Sequence, residues 1–503
     1  MSAHWKSSLF AKFAIVAVLL NFAWARKHTL HLEDDLRRLI QLTSFGFFEE
    51  GFMEVNVHTL YLTPTLTAGI GKPKRVGFTL EKTANVGTND IKSICALRPL
   101  TTQDESWSGI LFELDFDKKL VEVACSPSLT LNIRVFKKPP NIPFLNQGSP
   151  VRSLRDFGDD KYPKLVNHDP VSCTRGTLDL IPTKLPSGVV SYSFSFVVYI
   201  AGKDGEGNYN VNFFHNCVDD HDSRATLNVS LVEENLKKNY LSAGKMPLPT
   251  LNLMMSVLFF MAGCFWMFIL KRSTRKTGVA LFSIHYLMGA VVFLKSLSLV
   301  LHSINYHYIQ VLGFRLEGWA ILYYITHLLK GTLFYITILV IGTGYTFVKH
   351  LLSCKEKMVF MIVIPLQVLA NIAQIIIAES EEAEVAHTIW TVTFVLLDLF
   401  MCCAIIFPVI WSIRDAKKGL QTLGIKAATN LRQLKLFRHF CIILVCYLYF
   451  TRIILGMFLT VALSFQYEWL RDIFIEIATF IFFLLTGYKF RPAVCCEWAP
   501  LKQ

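Results

Sequence analysis

The chain has 503 residues, of which 53% are hydrophobic and only 17% charged, with a formal net charge of +12 and a mean hydropathy of +0.42. That balance is too apolar for a soluble multidomain protein and predicts a polytopic membrane protein. Neither a zinc-ligand cysteine spacing, a phosphate-binding loop nor a basic-aromatic strand pattern accompanies the positive charge, so nucleic acid is excluded as a partner.

Residues 1–25 carry Lys6 and Lys12, then an apolar run from Phe13 to Phe22, then Ala23-Trp24-Ala25. This is the layout of a secretory signal peptide, too short in its apolar core to span a bilayer, with cleavage expected after Ala25. The segment 26–245 is expected to be an all-β sandwich. Period-2 alternation rich in Val, Phe, Tyr and Thr appears at 52–60, 109–116, 129–136, 189–200, 209–217 and 225–235, the pattern of half-buried strands. A Pro- and charge-bearing stretch beginning at 137 lacks either period and is read as a long exposed loop, within bounds of 137–188.

Within this domain Asn228-Val229-Ser230 is an N-glycosylation acceptor. Four cysteines, Cys95, Cys125, Cys173 and Cys217, form an even set suited to an oxidising compartment, and three pairings are open to them. Arg152 and Arg155 make a minimal R-x-x-R processing pattern inside the loop, with an uncut solvated loop as the alternative.

From 246 to 490 the chain is predicted to form seven membrane spans, at 251–270, 279–303, 319–347, 358–378, 388–412, 440–463 and 467–488, each long enough for a hydrocarbon core of ~30 Å. Alternate connections carry the Lys and Arg excess, while the opposite ones include the acidic ESEEAEVAH at 379–387. The positive-inside rule therefore puts the β domain in the lumen and the short tail, 491–503, in the cytosol.

Seven ionisable side chains fall inside the spans: Lys295, His302, His327, Lys330, Asp398, Arg452 and Glu476. Such groups are costly in a bilayer unless paired or wetted. At 1.5 Å per residue Lys330 lies about 18 Å from the start of its span, and Asp398 and Glu476 lie about 14 to 15 Å in from the luminal side. Lys295 and His302 are placed in the luminal half of the second span. One reading is a ring of structural ion pairs, such as Asp398 or Glu476 with Arg452. The other notes three fixed cations against two carboxylates and expects a cavity that takes an anionic group, for example a phospholipid headgroup. The two readings are compatible. His302 and His327 alone leave a zinc site short of ligands, and no H-E-x-x-H or G-x-S-x-G occurs, so neither a metal site nor enzymatic activity is expected. A proton-coupled transporter using Asp398, Glu476 and the histidines ranks lower, because no inverted repeat or broken-helix pair is evident.

Several long stretches carry a resemblance: LKSLSLVLHSINYHYI at 294–309, WAILYYITHLLKGTLFYITILVIGTGYTFVKH at 319–350, FPVIWSIRD at 407–415, CYLYFTRII at 446–454 and LTGYKFRP at 485–492. Through them the chain resembles the lung seven-transmembrane receptor family, in the branch of G-protein-coupled-receptor-107-like and 108-like proteins. The resemblance implies a Golgi-dynamics (GOLD) type β-sandwich on a seven-helix bundle, resident in the Golgi and trans-Golgi network. It implies a role in vesicular trafficking as a receptor for luminal cargo or a peptide ligand, with a plasma-membrane G-protein-coupled receptor as the alternative. It also implies a Cys95–Cys217 disulfide, leaving Cys125 and Cys173 outside the family pattern. The basic segment 414–439 is expected to meet a trafficking adaptor, a G protein or anionic lipid, and Cys495 and Cys496 are candidate palmitoylation sites. The family's longer acidic tail is absent after GYKFRP, and neither an acidic-Arg-aromatic triplet nor N-P-x-x-Y supports G-protein coupling.

Overall fold

The computed structural model describes residues 27–63, 75–83, 108–127, 129, 132–137, 171, 176–186, 188–215, 224–277, 283–343, 354–380, 387–403, 439–440, 442–458 and 463–491. Ordered along the chain, the strands are β1 (Lys27–Asp35), β2 (Leu39–Phe47), β3 (Phe52–Thr63), β4 (Val76–Thr83), β5 (Gly109–Asp115), β6 (Leu120–Cys125), β7 (Ile133–Lys137), β8 (Gly176–Asp179), β9 (Ile181–Lys184), β10 (Val190–Ile200), β11 (Gly207–His215) and β12 (Arg224–Glu234). They form two sheets, one ordered β1-β12-β3-β10-β7 with β9 on the β10 edge, the other β2-β11-β4-β5-β6-β8. Neighbours pair antiparallel throughout.

Strand periodicity explains why these sheets stack. Ala225, Leu227, Val229 and Leu231 of β12 alternate into the core with Val55 and Val57 of β3, and Phe45, Phe78, Phe112 and Phe213 face them from the second sheet. Aromatic rings bridge the layers: Phe112 stacks on Phe196 at 4.1 Å, and Phe78 meets Phe194 edge-on at 5.5 Å. Each such fully buried ring contributes about 1.5 to 3 kcal/mol of transfer free energy.

Two expectations for this domain need correction. The strand predicted at 129–136 begins only at Ile133, because the N–H groups of Asn132 and Ile133 fold back on the Leu129 carbonyl in a turn. The loop expected across 137–188 contains β8 and β9, whose four-residue length is too short to display a period. The signal segment 1–25, the R-x-x-R site at Arg152 and Arg155, and Cys95, Cys173 and Cys217 lie outside the described residues, as do Cys495 and Cys496. Cys125, at the end of β6, is disulfide-bonded, and its partner lies outside the described residues.

The helices that follow are α1 (Leu248–Thr277), α2 (Ser283–Leu312), α3 (Glu317–Thr343), α4 (Cys354–Glu379), α5 (His387–Cys403), α6 (442–458) and α7 (Glu468–Lys489). Among the described residues four helices are long and apolar enough to cross a membrane, Ala243–Arg275, Ser283–Leu312, Glu317–Ile341 and Phe360–Ala378. The described stretches of α5, α6 and α7 fall on the three remaining predicted spans. The second helix runs to Leu312 instead of ending near 303, so Lys295 sits near its middle.

The sandwich is seated on the bundle by a short polar joint. Asn235 donates its side-chain amide to the carbonyls of Gly46 and Leu241, and Ser242 Oγ accepts the Gly46 N–H at 2.9 Å. On the bundle side, Phe465–Tyr467 forms a 3-10 turn that leads into α7. Gln466 donates to Glu206 at 3.3 Å, and Lys245 pairs with Glu468 at 3.4 Å in the first turn of α7, where a carboxylate also suits the helix dipole. Gly244 is required here, since a Cβ would come within 2.3 Å of the Phe465 carbonyl oxygen.

Candidate functional site: a charged layer inside the bundle

Small residues bring α1 and α2 together. Ser256 and Ser296 exchange side-chain hydrogen bonds with each other's backbone carbonyls at 3.0 and 2.9 Å, a close approach that larger side chains would prevent. This fixes the face of α2 that carries Lys295, whose Nζ lies 2.7 Å from Glu476 Oε1 and 2.6 Å from Oε2 on α7. Both side chains are nearly sequestered, at 9% and 16% exposure, and Nζ also lies 5.8 Å from the Phe259 ring centroid. The second pair joins α6 to α5: Arg452 Nη1 is 3.1 Å from Asp398 Oδ1, and Nη2 donates to the Tyr335 hydroxyl at 3.3 Å. Arg452 stands in a π-helical stretch, Tyr449–Phe458, and such wide turns displace a side chain from the regular helical face.

These two pairs use both carboxylates and leave Lys330. It stands thirteen residues from either end of α3 (Glu317–Thr343), about 20 Å along the axis. Among the described residues no carboxylate pairs with it; its ammonium donates to His327 Nδ1 at 3.4 Å. His327 is oriented from the other side of its ring, where Nε2 donates to Gln374 Oε1 of α4 at 3.0 Å, which leaves Nδ1 as the acceptor. Gly331 lets α4 come close, since a Cβ there would lie 2.6 Å from Asn371 Nδ2. Asn371 Oδ1 in turn accepts from Gln367 at 3.0 Å.

Two buried polar atoms beside this cation have no hydrogen-bond partner, Asn371 Nδ2 and His302 Nδ1. His302 is held by aromatic contacts, stacked on Tyr323 with centroids 4.5 Å apart and edge-on to Tyr306 at 4.6 Å. The Tyr323 hydroxyl reaches toward His327 Nδ1 at 3.5 Å. A half-buried lysine amine, an unsatisfied amide donor and an unpartnered imidazole nitrogen thus occupy one stretch of the α2–α3–α4 contact. Buried donors without partners are rare and costly, and an anion is the ligand that would satisfy this set.

All seven predicted intramembrane residues are therefore in described positions, and the structure sorts them into two ion pairs and one polar group around Lys330. Sequence reasoning missed Gln367, Asn371, Gln374, Tyr323 and Tyr335. The three amides recur at four- and three-residue spacing on α4, a legible one-face signal that a search confined to charged residues passes over. Among the described residues no group of three or more His, Cys, Asp or Glu is placed to hold a metal. Asn228 lies midway along β12, half-buried, and faces away from the core-lining Leu227 and Val229.

Residues 247–495 match the family model described as GOST, seven transmembrane domain. A protein from Arabidopsis thaliana named candidate G-protein coupled receptor 6 is 35% identical over 286 residues, covering 56% of this chain and 64% of its own length. The matched stretch thus spans just under two thirds of that relative. Together with the antiparallel sandwich that precedes the bundle, these similarities support the GOLD-domain seven-transmembrane receptor family, with residues 247–495 as its seven-transmembrane domain.

Proposed function

We propose that the protein is a seven-span receptor of the Golgi and trans-Golgi network that acts in vesicular trafficking. Its N-terminal sandwich, on the luminal side, takes cargo or a peptide ligand, and its charged layer binds the anionic headgroup of a phospholipid. The observation that carries the second part is the residual charge: with Lys295 and Arg452 each matched to a carboxylate, Lys330 is left beside Asn371 Nδ2 and His302 Nδ1. A desolvated cation favours an anion far more strongly than the same charge in water. No enzymatic role is proposed, and proton transport is disfavoured because Asp398 and Glu476 are both held by fixed cations. Segment 414–439, which lies outside the described residues except His439, is proposed as the docking element for a cytosolic adaptor.

The test uses the full-length tagged chain. Lys330→Met is expected to preserve Golgi residence while lowering the amount of anionic phospholipid that co-purifies and slowing export of luminal cargo. Unchanged lipid content and unchanged export would overturn the headgroup site, and a surface location at steady state would overturn the trafficking assignment. The name of the Arabidopsis relative favours a second reading, a plasma-membrane receptor acting through a G protein. That reading predicts ligand-dependent nucleotide exchange by a G protein on membranes containing the chain.

A further inference from the structure

A cavity that shares no residue with the charged layer lies toward the end of the bundle remote from the sandwich. It has a volume of about 410 Å³ and is lined by α1, α2, α3 and α7, with Phe440 closing one side. Phe265, Trp266, Met288, Phe334 and Phe483 make its wall apolar. The volume falls in the range of cavities that bury small ligands. Its depth follows from the helices: Ala262 is fourteen residues into α1, which starts at Leu248 beneath the sandwich, so the cavity begins about 21 Å down.

Of the polar side chains in the lining, Thr486 and Arg491 lie toward the same end. Thr486, in the last turn of α7, is 4% exposed, yet its hydroxyl has no hydrogen-bond partner. Other buried threonines of the bundle satisfy theirs on the preceding turn, as Thr479 does by donating to the Ile475 carbonyl at 2.8 Å. One turn beyond, Arg491 lies at the mouth, exposed, with its guanidinium carbon 4.8 Å from the Tyr488 ring centroid. Among the described residues no carboxylate pairs with Arg491. Lys271, Arg272 and Arg275, in the last turns of α1, are exposed and add positive charge to that end of the helix.

We propose that this cavity is a binding site for one acyl chain of an anionic phospholipid from the leaflet remote from the sandwich. The phosphate sits at Arg491, and the ester region near Thr486 accepts the free hydroxyl's proton. An apolar slot alone would accept any hydrocarbon; the unpaired guanidinium at its mouth selects a negative headgroup. The unsatisfied Thr486 hydroxyl marks where the apolar chain gives way to an acceptor atom. The site does not depend on the Lys330 reading, since it shares no residue with that layer.

The full-length chain is reconstituted in phosphatidylcholine vesicles containing trace phosphatidylserine that bears a photoreactive diazirine in its acyl chain, and adducts are mapped by peptide mass spectrometry. Labelling is expected within 262–269 and 482–488. Arg491→Gln should reduce phosphatidylserine labelling about tenfold, the scale of one lost charge-assisted hydrogen bond, while a phosphatidylcholine probe is unaffected. Ala262→Phe should fill the slot and reduce labelling by both probes, and Lys330→Met should change neither. Arg491→Lys should restore part of the selectivity, which separates loss of recognition from misfolding. Labelling confined to the outer bundle surface, or equal labelling by the two probes in the wild type, would overturn the proposal. So would an acyl thioester on Cys495 or Cys496 that must be removed with hydroxylamine before any phospholipid labels the cavity.

Discussion

The two lysines near the bundle centre invite the same substitution with opposite outcomes. Lys295→Met removes the partner of Glu476 and leaves a carboxylate that is 16% exposed inside the bundle. At 2.7 Å the pair's direct attraction is about 6 kcal/mol for an effective dielectric of 20, largely offset by desolvation of both groups. Stranding one partner exposes that desolvation cost, about 3 to 5 kcal/mol. Lys330→Met strands no carboxylate, because Lys330 has none; it removes an expensive cation and leaves His327 still anchored to Gln374. The assay is the aggregation midpoint of detergent-solubilised full-length chain, followed by size-exclusion after heating. Lys295→Met should melt well below wild type, and Lys295→Met combined with Glu476→Leu should recover most of the loss. Lys330→Met should melt at or above wild type without lipid, and added anionic phospholipid should raise the midpoint of wild type but not that of Lys330→Met, by linkage. Equal destabilisation by the two single substitutions, or no recovery in the double, would refute the assignment of paired and unpaired cations.

Other predictions concern the sandwich and its seat. His215, at the end of β11, is 1% exposed; burial pushes its imidazole below the ordinary value, and the nearby Asp35 carboxylate offsets this only in part. Its neutral form is thus the folded one, so the stabilisation is full above about pH 6.5 and is lost as the pH falls from there through the lower folded value. Protection factors of the β11 amides, corrected for the pH dependence of intrinsic exchange, should fall between pH 7 and pH 5 in the full chain, and His215→Phe should flatten that dependence. Gly244→Ala drives a methyl against the Phe465 carbonyl, a backbone atom that cannot rotate away, and should cost about 1 to 3 kcal/mol, seen as faster exchange across 465–470. If Asn228 carries a glycan, peptide-N-glycosidase should shift the chain's mobility, and Asn228→Gln should abolish the shift.

The sandwich strands with clean alternation were legible: β3, β5, β10, β11 and β12 fall where period 2 predicts. β2, LIQLTSFGF, carries the same signal over a shorter alternation, whereas β1 hides Leu30 and Leu32 among His, Glu and Asp residues. The depth of the charged layer was also legible, because helix rise converts sequence position to distance. Partner identity was not. It depends on the rotation of each helix about its axis and on which helices are neighbours, and the apolar bundle sequence is hydrophobic on most faces, so no stripe reveals either. Arg452 was matched to Asp398 or Glu476 with equal right; only the placement of α7 against α1 and α2 gives Glu476 to Lys295.

The seventh helix links the sandwich joint, the charged layer and the far cavity. Its first turn is gripped by the sandwich through Glu468 and the Phe465–Tyr467 turn, its third turn holds Glu476 against Lys295, and its last turn carries Thr486 into the far cavity. Twenty-two residues of continuous helix make a shaft about 33 Å long, with no break at which motion would be absorbed. A ligand that tilts the sandwich therefore applies its torque to a rod anchored at three depths, and the ion pair at the middle acts as the fulcrum. The far cavity would then be the arm on which a small displacement at the top is read out.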